Sequence, residues 1–154
     1  MKFPKLNNPM HLLATCFGIG TVPFAPGTFG TLFGVFLIYL ISLSDLSITY
    51  FVISLIFFSW TICILVSKEL DEHDHSAIVI DELAGYAIIY LFIPITFFNL
   101  IFGFILFRVF DIFKPFPISW LDRNIKNGSG IIIDDLVAGI LSGVIIYLFQ
   151  TLIS

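Results

Sequence analysis

Charge is scarce in this chain. Only 12% of its residues are Asp, Glu, Lys or Arg, against about 25% in an ordinary soluble domain. The apolar share is 58% and the mean hydropathy is +1.06. These values exclude an ordinary soluble globular protein and predict an integral membrane protein. A basic excess is also missing. The net charge of −4 provides no electrostatic footprint for nucleic acid. Cysteine is nearly absent: Cys16 and Cys63 stand in apolar context without a CxxC, and read as small buried hydrophobes. After Lys2 and Lys5 no continuous apolar stretch and no small-residue cleavage site follow. The N-terminal segment therefore reads as mature protein, not as a signal peptide.

What the chain has in abundance is apolar runs. The first is Leu32 to Leu43, and the second is Leu46 to Val66, long enough for a bilayer span. Residues 83–107 are apolar but interrupted at Pro94, with Thr96 and Asn99 close by. The last run is Leu136 to Ile153. Ahead of the first run, residues 18–31 hold glycines, prolines and threonines. They lack the GK[ST] of a Walker A loop and read as a turn-rich loop feeding the first helix.

The few charges are not scattered. All seven basic residues, and every acid but Asp45, lie in three segments: the N-terminus, residues 68–82 and residues 108–135. If residues 83–107 form two short helices with a turn at Ile93–Phe98, all three segments share one side of the membrane. The positive-inside rule makes that side the cytoplasm. The expected architecture is an all-α, polytopic helical bundle of about five helices with a short central hairpin. It is one domain over 1–154, with the N-terminus inside and the C-terminus outside.

Two stretches nearly repeat one another. Ile78 to Gly85 reads IVIDELAG, and Gly130 to Gly139 reads GIIIDDLVAG. Each places an acidic pair, Asp81-Glu82 or Asp134-Asp135, before small apolar residues. A carboxylate at mid-bilayer costs roughly 2.5–3.5 kcal/mol on insertion scales. Helix capping accounts for one acid per helix, not two. Carboxylates in number, with few histidines, suit a hard cation, Mg²⁺ before Zn²⁺. Arg108, Asp111 and Lys114 follow at helical spacing, and a guanidinium beside such acids suits a phosphate group. Asp71, Glu72 and the His73–Asp74–His75 triplet read as a solvated loop, although HxH can also hold a metal or move protons.

These motifs carry a resemblance. GIGTVPFAPGTFGTL, HDHSAIVIDELAG, FRVFDIFKPFP and DDLVAG, in this order, resemble the phosphatidylglycerophosphatase A family along nearly the whole chain. The resemblance implies an all-helical fold and Mg²⁺-dependent removal of the terminal phosphate from phosphatidylglycerol phosphate. It also implies a setting in bacterial inner-membrane phospholipid synthesis; the charge pattern places the site on the cytoplasmic face.

On that footing, Asp81, Glu82, Asp134 and Asp135 are expected to hold Mg²⁺, with Asp111 as a further ligand or a phosphoryl-accepting nucleophile. Arg108 and Lys114 are expected to hold the phosphate, with Arg123, Thr28 and Thr31 as further substrate contacts. The partners are the lipid substrate and the bilayer, not nucleic acid; the oligomeric state stays open. The alternative from another class is a small cation or phosphate transporter, because intramembrane acids and broken helices also mark such pathways.

Overall fold

A computed structural model of the chain describes residues 3–70 and 75–153. Asp71, Glu72, His73 and Asp74, and the expectations attached to them, lie outside the described residues. Within these, the fold is all helical, with no strand. The helices are α1 (Pro9–Ala14), α2 (Pro26–Ser42), α3 (Ile48–Ser67), α4 (Ile80–Ala87), α5 (Phe97–Phe113), α6 (Ile118–Asn124) and α7 (Gly128–Ile153). Short 3₁₀ turns occupy Ile19–Thr21 and Ile88–Leu91.

Among the described residues the α-helix count is therefore seven, not about five. The two additional helices, α1 and α6, are short and sit in the charged segments, where turn-forming residues mask six- and seven-residue helices. The loop expected at 18–31 is also corrected. Pro26 opens α2, since a proline at the first helical position sacrifices no needed N–H and has its φ already set. The last helix likewise starts earlier than Leu136. Asn127 Oδ1 accepts the amides of Ser129 and Gly130 and so starts α7 at Gly128.

The break near Pro94 does turn the chain back. Thr96 caps α5 by accepting the Asn99 amide. Tyr90 then donates to the Asn99 carbonyl at 3.3 Å, and Tyr86 to the Leu100 carbonyl at 2.9 Å. The Tyr86 ring meets the Phe107 ring further along. Contacts thus step backward along α4 as they step forward along α5, which is an antiparallel hairpin. Asn99 also receives a hydrogen bond from Gln150 of α7 and donates to the Pro94 carbonyl. The turn is stitched by polar groups that would otherwise be costly in an apolar setting.

The core gathers on α4 and α7. Nearly all of α4 is buried, as are twelve residues of α7. Small residues let the two backbones touch. A Cβ at Gly85 would stand 2.7 Å from the Asp135 carbonyl oxygen, and one at Gly139 would collide with the Gly85 carbonyl. Close approach through small residues is how helices associate where lipid offers no hydrophobic drive. Two helices, α3 and α7, are long and apolar enough to cross a membrane; at ~1.5 Å per residue they extend about 30 and 39 Å. Both cysteines are buried.

The charged segments meet at one end of the bundle. The amide of Val79 donates to the Ala14 carbonyl, and His11 bonds Glu69 at 3.0 Å. Gly128, at the start of α7, packs on Ser67, at the end of α3. The starts of α2, α4 and α7 and the ends of α3 and α5 therefore converge.

Candidate active site

At that converging end lies a pocket of about 200 Å³. Asp81, Glu82, Arg108, Asp111, Lys114, Asp134 and Asp135 all line it, together with Ala25, Pro26 and Gly27 at the start of α2. Seven of the ten residues singled out from the sequence are thus brought to one cavity by three helices, α4, α5 and α7, or their caps.

The geometry divides the acids. Asp81, Glu82 and Asp135 each offer an oxygen within 4.8 Å of the others. The contact between Gly85 and Asp135 makes this possible, because it holds α7 at Asp135 against α4 one turn beyond Asp81 and Glu82. Asp134 faces elsewhere: its Oδ2 accepts from Lys114 Nζ at 2.7 Å. Lys114 also donates to Asp122 Oδ1 at 2.6 Å, joining the ends of α5, α6 and α7. Arg108 pairs with Asp111 one turn along α5.

Local backbone explains how Lys114 reaches two helices. It ends α5 in the left-handed region with φ 42°, and its amide still bonds to the Phe110 carbonyl. Such a conformation is uncommon for a residue with a Cβ. Pro115 follows and cannot continue the helix. Burial alone would lower the Lys114 ammonium, but the bonds to Asp122 and Asp134 outweigh it, so its pKa is raised and the group stays charged.

The acid triplet fits a hard cation. Its donors are all carboxylate oxygens, the set preferred by Mg²⁺ and Ca²⁺. Glu82 is partly exposed as a residue, yet its Oε2 is sealed from solvent and has no hydrogen-bond partner among the described residues. Burial, then the charge of Asp135, pushes the Glu82 carboxyl well above its ordinary range. Three carboxylates this close repel one another unless protons or a cation intervene.

Gly27 closes one wall. A Cβ there would strike Glu82 Oε1 and lie 3.2 Å from Arg108 Nη1. The Gly-Pro-Thr segment thus contributes backbone, not hydroxyls. Thr31 is fully buried and donates to the Gly27 carbonyl at 2.8 Å. Thr28 is half-buried in the first turns of α2 and does not line the pocket. Arg123 is exposed on α6 and does not line it either. His75 accepts the Ala77 amide and meets the Phe3 ring edge-on. Sequence reasoning brought this segment to the substrate through Thr28 and Thr31 rather than through Ala25–Gly27, and it missed the role of the glycine after each acidic pair. The recurring Ala-Gly after the acids was the available signal.

The family model described as phosphatidylglycerophosphatase A matches residues 12–150, which include every residue of this pocket. The chain belongs to the phosphatidylglycerophosphatase A family. The phosphatidylglycerophosphatase A of Escherichia coli is 40% identical over 145 residues, covering 93% of this chain and 84% of the relative. That of Haemophilus influenzae is 39% identical over 153 residues, covering 97% and 94%. No solved structure matches the chain. Family membership and two helices able to cross a bilayer together indicate membrane association.

Proposed function

We propose that this protein is a Mg²⁺-dependent phosphatase that hydrolyses the terminal phosphate of phosphatidylglycerol phosphate to give phosphatidylglycerol. The observation that carries this reading is the apposition of two groups in one pocket. The oxygens of Asp81, Glu82 and Asp135 share it with the cations Arg108 and Lys114. The relatives named phosphatidylglycerophosphatase A supply the substrate.

Asp81, Glu82 and Asp135 would hold Mg²⁺, which supplies a Lewis acid for phosphoryl oxygens and a more acidic water. Arg108 and Lys114 bind the phosphate oxygens and offset the charge that builds on them in the transition state. Asp111 holds the Arg108 guanidinium in place, and Asp122 with Asp134 does the same for Lys114. Because Asp111 is engaged by Arg108 and also bonds Asp135 at the edge of the acid cluster, water is the nucleophile in this reading. Trapping of a phosphorylated Asp111 would overturn that part. The start of α2 turns its positive end toward the same pocket. Placement of Arg108 and Lys114 at the charged end of the bundle supports a cytoplasmic site in a multi-pass inner-membrane protein. A transporter reading is not favoured, since the phosphatase family covers nearly the whole chain.

The test is phosphate release from phosphatidylglycerol phosphate micelles by purified protein, with Mg²⁺ or with EDTA. Release is expected only with Mg²⁺. A folded protein that releases none in Mg²⁺ would sink the enzyme reading.

A further inference from the structure

A second cavity, apolar and about 390 Å³, opens between α2 and α5. Val35, Phe36 and Tyr39 line it from α2, and Phe97, Leu100 and Ile101 from α5. It is open to the outside, since Phe36, Tyr39, Phe97 and Ile101 are all exposed.

The position of this groove follows from the register of the two helices. At the active site, Gly27 of α2 lies beside Arg108 of α5. Eight residues onward along α2 and seven back along α5 stand Val35 and Ile101; four more on each reach Tyr39 and Phe97. All of these line the groove. The polar pocket and the apolar groove are thus two stations on one antiparallel seam. At ~1.5 Å per residue, Val35 and Tyr39 lie about 12 and 18 Å along α2 from Gly27. One leaflet of a ~30 Å hydrocarbon core is about 15 Å deep.

The groove is also preformed. Gly30 and Gly34 press α2 onto Val79, which caps α4, and Tyr86 within it. Helical periodicity then turns Leu32, Val35, Phe36 and Tyr39 away from that contact. On the facing wall, Leu100 is buried and its carbonyl is held by the Tyr86 hydroxyl at 2.9 Å. The outer faces of α3 and α7 are apolar too, but neither forms a seam that ends at Arg108.

We infer that the α2–α5 groove receives an acyl chain of the same phospholipid whose terminal phosphate enters the polar pocket, so that the substrate arrives sideways from the bilayer along this seam. The inference rests on the lipid-phosphatase reading for the identity of the headgroup. An anionic head and an apolar tail on one molecule match Arg108 and Lys114 at one end of the α2–α5 seam, beside the carboxylates that would hold Mg²⁺, and an apolar groove further along it.

The test uses the full chain in phosphatidylcholine vesicles with Mg²⁺. The probe is a nonhydrolysable phosphonate analogue of phosphatidic acid with a diazirine near the end of one acyl chain. After photolysis, crosslinks are mapped by mass spectrometry. Labelling is expected to concentrate on residues 35–39 and 97–101, and to be lost when unlabelled phosphonate is added in excess. A phosphatidylcholine probe with the same diazirine is expected to label the groove no more than the exposed Phe57 and Leu148. Val35→Trp with Ile101→Trp, which fills the groove, should remove most of the phosphonate labelling. Equal labelling by both probes, labelling that excess phosphonate does not displace, or crosslinks to a second copy of the chain would overturn the inference. Phosphate release with uniform labelling removes the groove and keeps the enzyme. Groove labelling without phosphate release does the reverse.

Discussion

The two acidic pairs look like copies in the sequence and behave differently in the fold. Asp81 and Glu82 stand side by side in the first turn of α4, and both point oxygens into the cation-sized cluster. Asp134 and Asp135 lie in the second turn of α7, about 10 Å from its start at ~1.5 Å per residue. Only Asp135 joins that cluster; Asp134 turns to Lys114. Successive residues on a helix are about 100° apart, so a pair cannot serve one point unless the helix end is free to adapt. In α7 the glycine contacts with α4 remove that freedom. The second pair therefore splits between the carboxylate cluster and Lys114.

Three substitutions probe this division. The largest effect is expected for Asp135→Asn, which removes one of three cluster carboxylates. Phosphate release should fall to background, and the rise in melting temperature on adding Mg²⁺ should vanish. A variant that keeps a full Mg²⁺ response would break the assignment of Asp135 to the cation. Asp134→Asn should be milder, lowering turnover about 10–100-fold, as expected for a residue that orients a functional group. The Mg²⁺-induced stabilisation should persist, because the cluster is intact. If Asp134→Asn and Asp135→Asn lose the Mg²⁺ response equally, the two acids share one role. The smallest effect is expected for Gly85→Ala. The new Cβ would stand 2.7 Å from the Asp135 carbonyl, and overpacking of this kind costs about 1–3 kcal/mol. Its melting temperature should fall and its half-saturating Mg²⁺ concentration should rise. An unchanged Mg²⁺ requirement would show that the α4–α7 contact does not set the cluster.

Much of the site was legible before any fold. Paired acids in an apolar chain are improbable without a purpose, and Arg108, Asp111 and Lys114 announce a shared face by spacing alone. The hairpin was legible too, since the charge pattern is consistent with one polar side only if residues 83–107 turn back. The substrate contacts were less legible. A threonine near a glycine-rich stretch looks like a hydroxyl donor, yet the backbone of α2 claims Thr31. Arg123 lies close in sequence to Lys114, but α6 directs it outward. Helix starts were missed where proline and glycine look like turn formers, although Pro26 and Gly128 begin helices.

By itself, then, the order of residues determined the class of protein, the helical bundle and the charged residues of the pocket, because hydropathy and charge are local properties. Which acid meets which cation was decided only by tertiary structure. That choice depends on the rotation of α4 against α7, which Gly85 and Gly139 set through backbone contact across 54 residues of chain. The groove beside α2 has the same origin. It exists because Gly30 and Gly34 pull α2 toward α4, a displacement that no single segment of the sequence encodes.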